Sequence, residues 1–146
     1  REEKDRLAVI EGLKDGTLDC IVTDHAPHHA DDKNVEYDQA AFGISGLETS
    51  FALSYTELVK GGALSLEELA KKMSSNPARI LNLEGGALEV GAPADFTAVD
   101  LEEKWTIDPK DFVSKGKNTP FTGREVYGRV KYTVVDGNIK YSEERK

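Results

Sequence analysis

The chain has 146 residues, 32% charged and 38% hydrophobic, with 19 basic against 27 acidic side chains and a net charge of -8. That balance describes a folded domain and excludes collagen, low complexity and wholesale disorder. The acidic excess argues against a nucleic-acid backbone binder, and no apolar run approaches the roughly 20 residues that span a bilayer.

One cysteine, Cys20, leaves no intramolecular disulfide and no CxxC metal knuckle, which fits a reducing, cytoplasmic setting. The first residues, Arg1 to Arg6, already carry a helical pattern without an initiator Met (the only methionine is Met73) or a signal-peptide core. The expectation is a piece of a longer protein or a trimmed domain.

Residues 1–15 read as a helix, with Leu7, Val9, Ile10 and Leu13 as its apolar stripe and Gly16 as its stop. Leu18 to Thr23 is a short, mostly apolar, β-rich run that suits a strand buried on both faces. A helix feeding such a strand is one unit of an α/β fold. Residues 24–46 break both periodicities and read as a long loop leaving the strand, a place for function or mobility. A helix follows over 47–60, with Leu47, Phe51, Leu53, Leu58 and Val59 as core candidates and Gly61-Gly62 as its end.

Ser65 and Glu68 form a capping box that opens a helix through about Met73. Asn76-Pro77 opens another, carrying Ile80 and Leu81 and stopping before Gly85-Gly86. From residue 87 the pattern turns to strands: Phe96–Leu101, Trp105–Ile107, Glu125–Val135 and Asn138–Tyr141, the last two a hairpin about Asp136-Gly137. Residues 1–86 hold nine basic and sixteen acidic residues, residues 87–146 ten and eleven, and the expected boundary lies near 86.

All three histidines lie in Thr23-Asp24-His25-Ala26-Pro27-His28-His29. Asp24 falls at the C-terminal edge of the expected buried strand, where α/β barrels and open α/β sheets place catalytic groups. A carboxylate there can ligate a metal or move a proton, and imidazoles suit zinc-like metals or anions. The plainer alternatives are an Asx turn or helix cap at Asp24 and an incidental surface patch of histidines. The cluster is only part of a metal site, because a catalytic zinc wants three protein ligands and the chain has no further histidine. Cys20 reads as packing rather than nucleophile. Gly43-Ile44-Ser45-Gly46 has no following Lys and is no phosphate loop, and the charged run 31–38 is a solvated face or a mobile lid.

At Thr23 to His28 the chain resembles the dihydroorotases of the longer bacterial type, within the metal-dependent amidohydrolases. The resemblance continues through Ala40 to Thr49 (Phe42-Gly43-Ile44-Ser45-Gly46-Leu47-Glu48), Ser74 to Arg79, Gly91 to Asp95 and Ser114 to Phe121. It implies a C-terminal fragment of a (β/α)8 barrel with a small β-sandwich domain: residues 1–86 the last barrel strand and helices, residues 87–146 part of the small domain. It implies zinc, two ions per complete site, with the other ligands upstream of this chain. Asp24 resembles the carboxylate that binds one metal and serves as general base and acid. His28 resembles a residue that binds the substrate carboxylate, and Phe42 and Gly43 resemble a pair whose backbone contacts the pyrimidine ring.

The implied reaction is the reversible cyclisation of N-carbamoyl-L-aspartate to dihydroorotate in pyrimidine biosynthesis. The implied partners are that small molecule, a second copy, or aspartate carbamoyltransferase, with no nucleic acid and no membrane. Two alternatives stand beside it: an allantoinase or hydantoinase-type enzyme, against which Pro27-His28 argues, and a catalytically dead scaffold homologue. His25 and His29 carry no implied role; His25 would support the strand end and His29 would be exposed.

Overall fold

Glu2 and Asp5 start the first helix reciprocally, the Glu2 N–H donating to the Asp5 carboxylate at 2.9 Å. In this computed structural model, which describes residues 2–145, helix α1 spans Glu3–Asp15 and stops at Gly16, whose φ of +86° ends it in the left-handed region. Only the C-terminal half of the expected stripe is covered. Ile10 and Leu13 pack with Tyr55, Leu58, Leu64 and Leu69, whereas Leu7 and Val9 stay exposed.

The run Leu18–Thr23 forms no ladder, and this corrects the expectation of a strand buried on both faces. Leu18 is exposed, Val22 is 78% exposed and Cys20 is only half-buried. The reason is partnership: a buried parallel strand needs neighbours on both edges and layers above and below. Among the described residues no strand pairs with this run. A helix holds it on one side instead.

That helix is continuous where the sequence suggests two. Helix α4 (Leu66–Ala70) opens on the expected Ser65–Glu68 capping box, widens into a π segment over Lys71–Ser75, and continues as α5 (Asn76–Leu81). Pro77 lacks the N–H of an ordinary turn and its ring crowds the carbonyl four residues back. The wide turn just before it accommodates both effects, with the Asn76 N–H reaching back to Lys71. The Lys72 carbonyl then accepts the Ile21 N–H at 3.0 Å. The buried Lys72 ammonium donates to Leu18 (2.7 Å) and the Asn76 amide to Asp19 (2.9 Å), both to backbone carbonyls. Ile80 and Leu81 face solvent.

Residues 24–46 are less irregular than expected. They contain a four-residue helix, α2 (Ala30–Lys33), and a parallel bridge between His25 and Ile44. Helix α3 (Ser50–Ser54) begins three residues later than the pattern suggests and runs into a π segment, Tyr55–Lys60. Leu47 is exposed rather than core, while Phe51 and Leu53 are half-buried.

The C-terminal part is a three-stranded antiparallel sheet in the order β1 (Phe96–Thr106), β2 (Glu125–Val135), β3 (Asn138–Ser142). The two expected runs at 96–101 and 105–107 are one strand through Thr106. Its register slips between Asp100 and Lys104, where the Asp100 carboxylate accepts the N–H groups of Glu102 and Glu103. The β2–β3 hairpin turns at Asp136-Gly137 with φ of +50° and +70°, the signature of the turn that matches strand twist. Sheet and helices share a second core of Ala52, Ile107, Phe112 and Val126, and the Tyr127 N–H donates to the Thr56 hydroxyl at 2.8 Å. The architecture is thus α/β. No helix among the described residues is long and apolar enough to cross a membrane.

Candidate active site

Asp24 closes the helix-backed segment with φ of +45°, a left-handed conformation that Asp tolerates better than most residues. Its carboxylate is exposed and takes no hydrogen bond among the described residues, so it is free to meet a ligand. His25 faces the other way. Its Nδ1 accepts the N–H groups of Gly46 (3.1 Å) and Leu47 (3.2 Å), so the ring proton sits on Nε2. The ring thereby ties this segment to the Gly46–Leu47 turn rather than to a strand end.

The segment 24–28 and the loop 41–46 run side by side. The Ala26 N–H donates to the Ile44 carbonyl at 3.0 Å, and His28 Nε2 donates to the Phe42 carbonyl at 2.7 Å. A carbonyl only accepts, which fixes the proton on that nitrogen. Gly43, at φ +136°, presses against Ala26 and lies near His28 Nε2; a Cβ there would stand 3.1 Å from that atom. The Phe42 ring is 94% exposed. Three of the four expected site residues, His28, Phe42 and Gly43, therefore form one contiguous surface, and Asp24 begins the segment that carries it. His29 is exposed, and its Nδ1 accepts the Asp31 N–H at the start of α2.

Four further residues build the site without a role having been expected for them. Lys33 Nζ donates to the carbonyls of Ala41 (2.6 Å) and Gly43 (3.0 Å). Asn118 Nδ2 donates to the Gly43 carbonyl at 3.2 Å, and its own carbonyl accepts the Ser45 N–H at 2.8 Å. Gly116 lies so near Pro27 that a Cβ would come 2.5 Å from the proline Cβ. Glu48 holds the turn that delivers this strap, its carboxylate accepting from the N–H groups of Val113 (2.8 Å) and Ser114 (3.0 Å). The one sequence signal for Gly116 and Asn118 is that they fall in the block Ser114–Phe121; Lys33 falls in the charged run 31–38, expected as a solvated face or a mobile lid, and is half-buried.

His28, Lys33, Asn34, Lys115, Lys117 and Asn118 line a cavity of about 300 Å³. It is a locally basic surface on a chain of net charge -8, suited to an anion. A larger cleft of about 450 Å³ lies between the helices and the sheet, walled by Phe51, Trp105, Phe112 and Val130. Asp24 offers one hard oxygen donor to a metal. Among the described residues no group of three His, Cys, Asp or Glu side chains converges. The residues present do not by themselves make a zinc site, which requires three or four protein donors.

Comparison with known proteins adds to this geometry. The amidohydrolase family matches residues 1–140. The dihydroorotase of Desulforapulum autotrophicum is 57% identical over 144 residues, 99% of this chain and 33% of that protein. The dihydroorotase of Caldanaerobacter subterraneus subsp. tengcongensis is 51% identical over 146 residues, 100% of this chain and 34% of that protein. The solved L-hydantoinase (dihydropyrimidinase) from Arthrobacter aurescens superposes with a TM-score of 0.91 at 32% identity, covering 98% of this chain and 33% of that one. The chain spans about a third of the length of the curated relatives it matches.

Proposed function

The chain belongs to the amidohydrolase family, and we propose that it is the C-terminal third of a dihydroorotase. That enzyme would interconvert N-carbamoyl-L-aspartate and dihydroorotate in pyrimidine biosynthesis. One observation carries the reading: the Asp24–His28 segment is zipped to Phe42–Gly43 through the His28–Phe42 hydrogen bond. An imidazole and a loop backbone thereby share one surface beside a basic cavity, on the segment that Asp24 begins, which suits a ring amide bearing a carboxylate.

Residues 1–86 would then be the end of the barrel and residues 87–146 the chain's share of the small β-sandwich domain. The helix-backed but unpaired run 18–23 supports this, since a barrel would supply its missing neighbours. The complete protein would carry two zinc ions, with Asp24 contributing one ligand and the remaining donors coming from outside this chain. When bound, such metals lower the pKa of water and polarise a carbonyl.

This chain's residues would do the rest. Asp24 would accept a proton as water attacks the ring carbonyl and return it to the departing nitrogen. His28 would bind the substrate carboxylate through Nδ1, which can donate to it only with the ring protonated on both nitrogens. The Phe42–Gly43 backbone would meet the ring, where the absence of a side chain at Gly43 permits close approach. A cytoplasmic setting accords with the lone thiol of Cys20. A homodimer or association with aspartate carbamoyltransferase is the assembly to test, by sizing the complete protein alone and with that enzyme.

The relatives favour this over a hydantoinase-type activity, because 51% and 57% identity to dihydroorotases exceeds 32% to the hydantoinase. The test is turnover by the complete protein carrying this segment. Dihydroorotate should be hydrolysed, and hydantoin and dihydrouracil should be poor substrates. Preference for hydantoin would select the second reading; turnover of none would point to a scaffold homologue.

A further inference from the structure

We propose that Lys33 is a positioning residue which, with Asn118, fixes the Ala41–Gly43 backbone so that its free N–H groups face the ligand. The proposal rests on the dihydroorotase reading and assigns to Lys33 a part in substrate affinity rather than in chemistry.

Three consecutive carbonyls are held by protein donors: Ala41 by Lys33 (2.6 Å), Phe42 by His28 (2.7 Å), and Gly43 by both Lys33 (3.0 Å) and Asn118 (3.2 Å). A trans peptide is planar, with its C=O and the following N–H pointing in opposite directions. Pinning the Ala41 carbonyl therefore aims the Phe42 N–H away from Lys33, and pinning the Phe42 carbonyl aims the Gly43 N–H away from His28. Those two N–H groups make no hydrogen bond among the described residues. Around them, the N–H groups of Ala40, Ala41 and Ser45 do, to Glu36, Asp32 and Asn118, while that of Ile44 does not. Two adjacent, oriented, unspent donors are what a ring carbonyl or carboxylate of a ligand would take up.

Lys33 suits this work. An ammonium carries three donors about one point, enough to reach two carbonyls of the same loop at once, which a planar guanidinium fork does less readily. It has no carboxylate partner among the described residues, and its hydrogen bonds are charge-assisted. It is half-buried on α2, with the loop folded back over it.

The experiment is steady-state kinetics on the complete protein carrying this segment, with zinc content measured in each variant. Lys33→Met should raise KM for dihydroorotate about tenfold while kcat stays within about threefold, and zinc content should not change. Lys33→Arg should recover part of the loss. Asn118→Ala, which removes the second donor to Gly43, should raise KM about threefold. Hydrogen exchange over residues 40–46 should quicken in Lys33→Met.

A zinc-loaded Lys33→Met enzyme with unchanged KM, or with reduced kcat at unchanged KM, overturns the proposal. Where Lys33→Met fails to fold, unchanged KM in both Lys33→Arg and Asn118→Ala overturns it. A wild-type protein inactive on dihydroorotate strikes the functional reading and this proposal with it; an active wild type with unmoved variants strikes only the role of Lys33.

Discussion

Gly43 lies against Ala26 so closely that a Cβ added to it would stand 2.7 Å from the Ala26 Cβ and overlap the Ala26 carbonyl oxygen. Its φ of +136° is also a conformation that side chains resist. The fit brings the Phe42–Gly43 backbone down onto the segment that carries His28. Gly43→Ala should cost about 1–3 kcal/mol of stability, through local strain or separation of the two strips. In denaturant titrations of the complete protein, a midpoint equal to wild type would show that the close approach is not needed.

Asp24 combines a left-handed backbone with an exposed, unpartnered carboxylate. Asn tolerates that φ about as well but cannot take up a proton in the same way. Asp24→Asn in the complete protein should keep the wild-type melting temperature and lose about two to four orders of magnitude in kcat. Asp24→Gly should be as inactive and no less stable, since glycine relieves the strained φ. Activity near wild type in Asp24→Asn would remove Asp24 from the chemistry.

His28 is oriented by its donation to the Phe42 carbonyl, which leaves Nδ1 as the free ring atom. His28→Ala loses the brace on the loop and, on the proposed reading, the partner of the substrate carboxylate. It should raise KM for dihydroorotate about tenfold or more, with a smaller effect on kcat. His28→Gln can keep a donor to Phe42, so its KM should fall between the two. Equal KM in all three proteins would take the carboxylate away from His28.

The elements that a local pattern decides were legible in the sequence: the Gly16 stop, the Ser65–Glu68 box and the Asp136-Gly137 turn. What was not legible depends on distant partners. The run Leu18–Thr23 reads as a buried strand because its residues are apolar, but burial requires neighbours, and this chain's strands pair with each other elsewhere. The fusion of α4 and α5 depends on a wide turn ahead of Pro77, where propensity rules predict a break. Lys33 and Asn118 act on backbone carbonyls 10 and 75 residues away, and any residue type offers a carbonyl. Composition therefore carries no mark of such contacts.

The sheet surface carries an ion cluster whose pH response has a definite sign. Lys131 Nζ donates to Glu103 and, at 2.5 Å, to Glu143; Arg129 Nε donates to Glu143 at 2.8 Å and its guanidinium lies 4.6 Å from the Trp105 ring centre. The hydrogen bonds from Lys131 and then Arg129 hold the Glu143 carboxyl below its ordinary 4.5. The hydrogen bonds to Glu103 and Glu143 hold the Lys131 ammonium above its ordinary 10.5. A depressed carboxyl contributes stability that is complete above its ordinary value and lost as pH falls through the folded value; a raised ammonium contributes stability lost only as pH rises beyond 10.5. The stability gap between wild type and Glu143→Gln should thus be full at neutral pH and shrink below about pH 4.5. A gap of the same size at pH 7 and pH 3 would show that the pairing adds nothing, which is common for exposed pairs.

The 146-residue chain on its own should hold no pair of zinc ions and should not turn over dihydroorotate. Two of the three imidazoles have their basic nitrogen committed to backbone N–H groups, His25 Nδ1 to Gly46 and Leu47 and His29 Nδ1 to Asp31, and only His28, which donates from Nε2 to Phe42, keeps a free nitrogen for a metal. The described residues bring no three donors together. Meanwhile the run 18–23 exposes Val22 and has no strand partner on the edge away from the helix, which favours self-association. Zinc titration of tag-free chain should give no tight sites, and sedimentation should show association that grows with concentration. Two tightly bound zinc ions would overturn the first expectation, and a monomer with a cooperative melt the second.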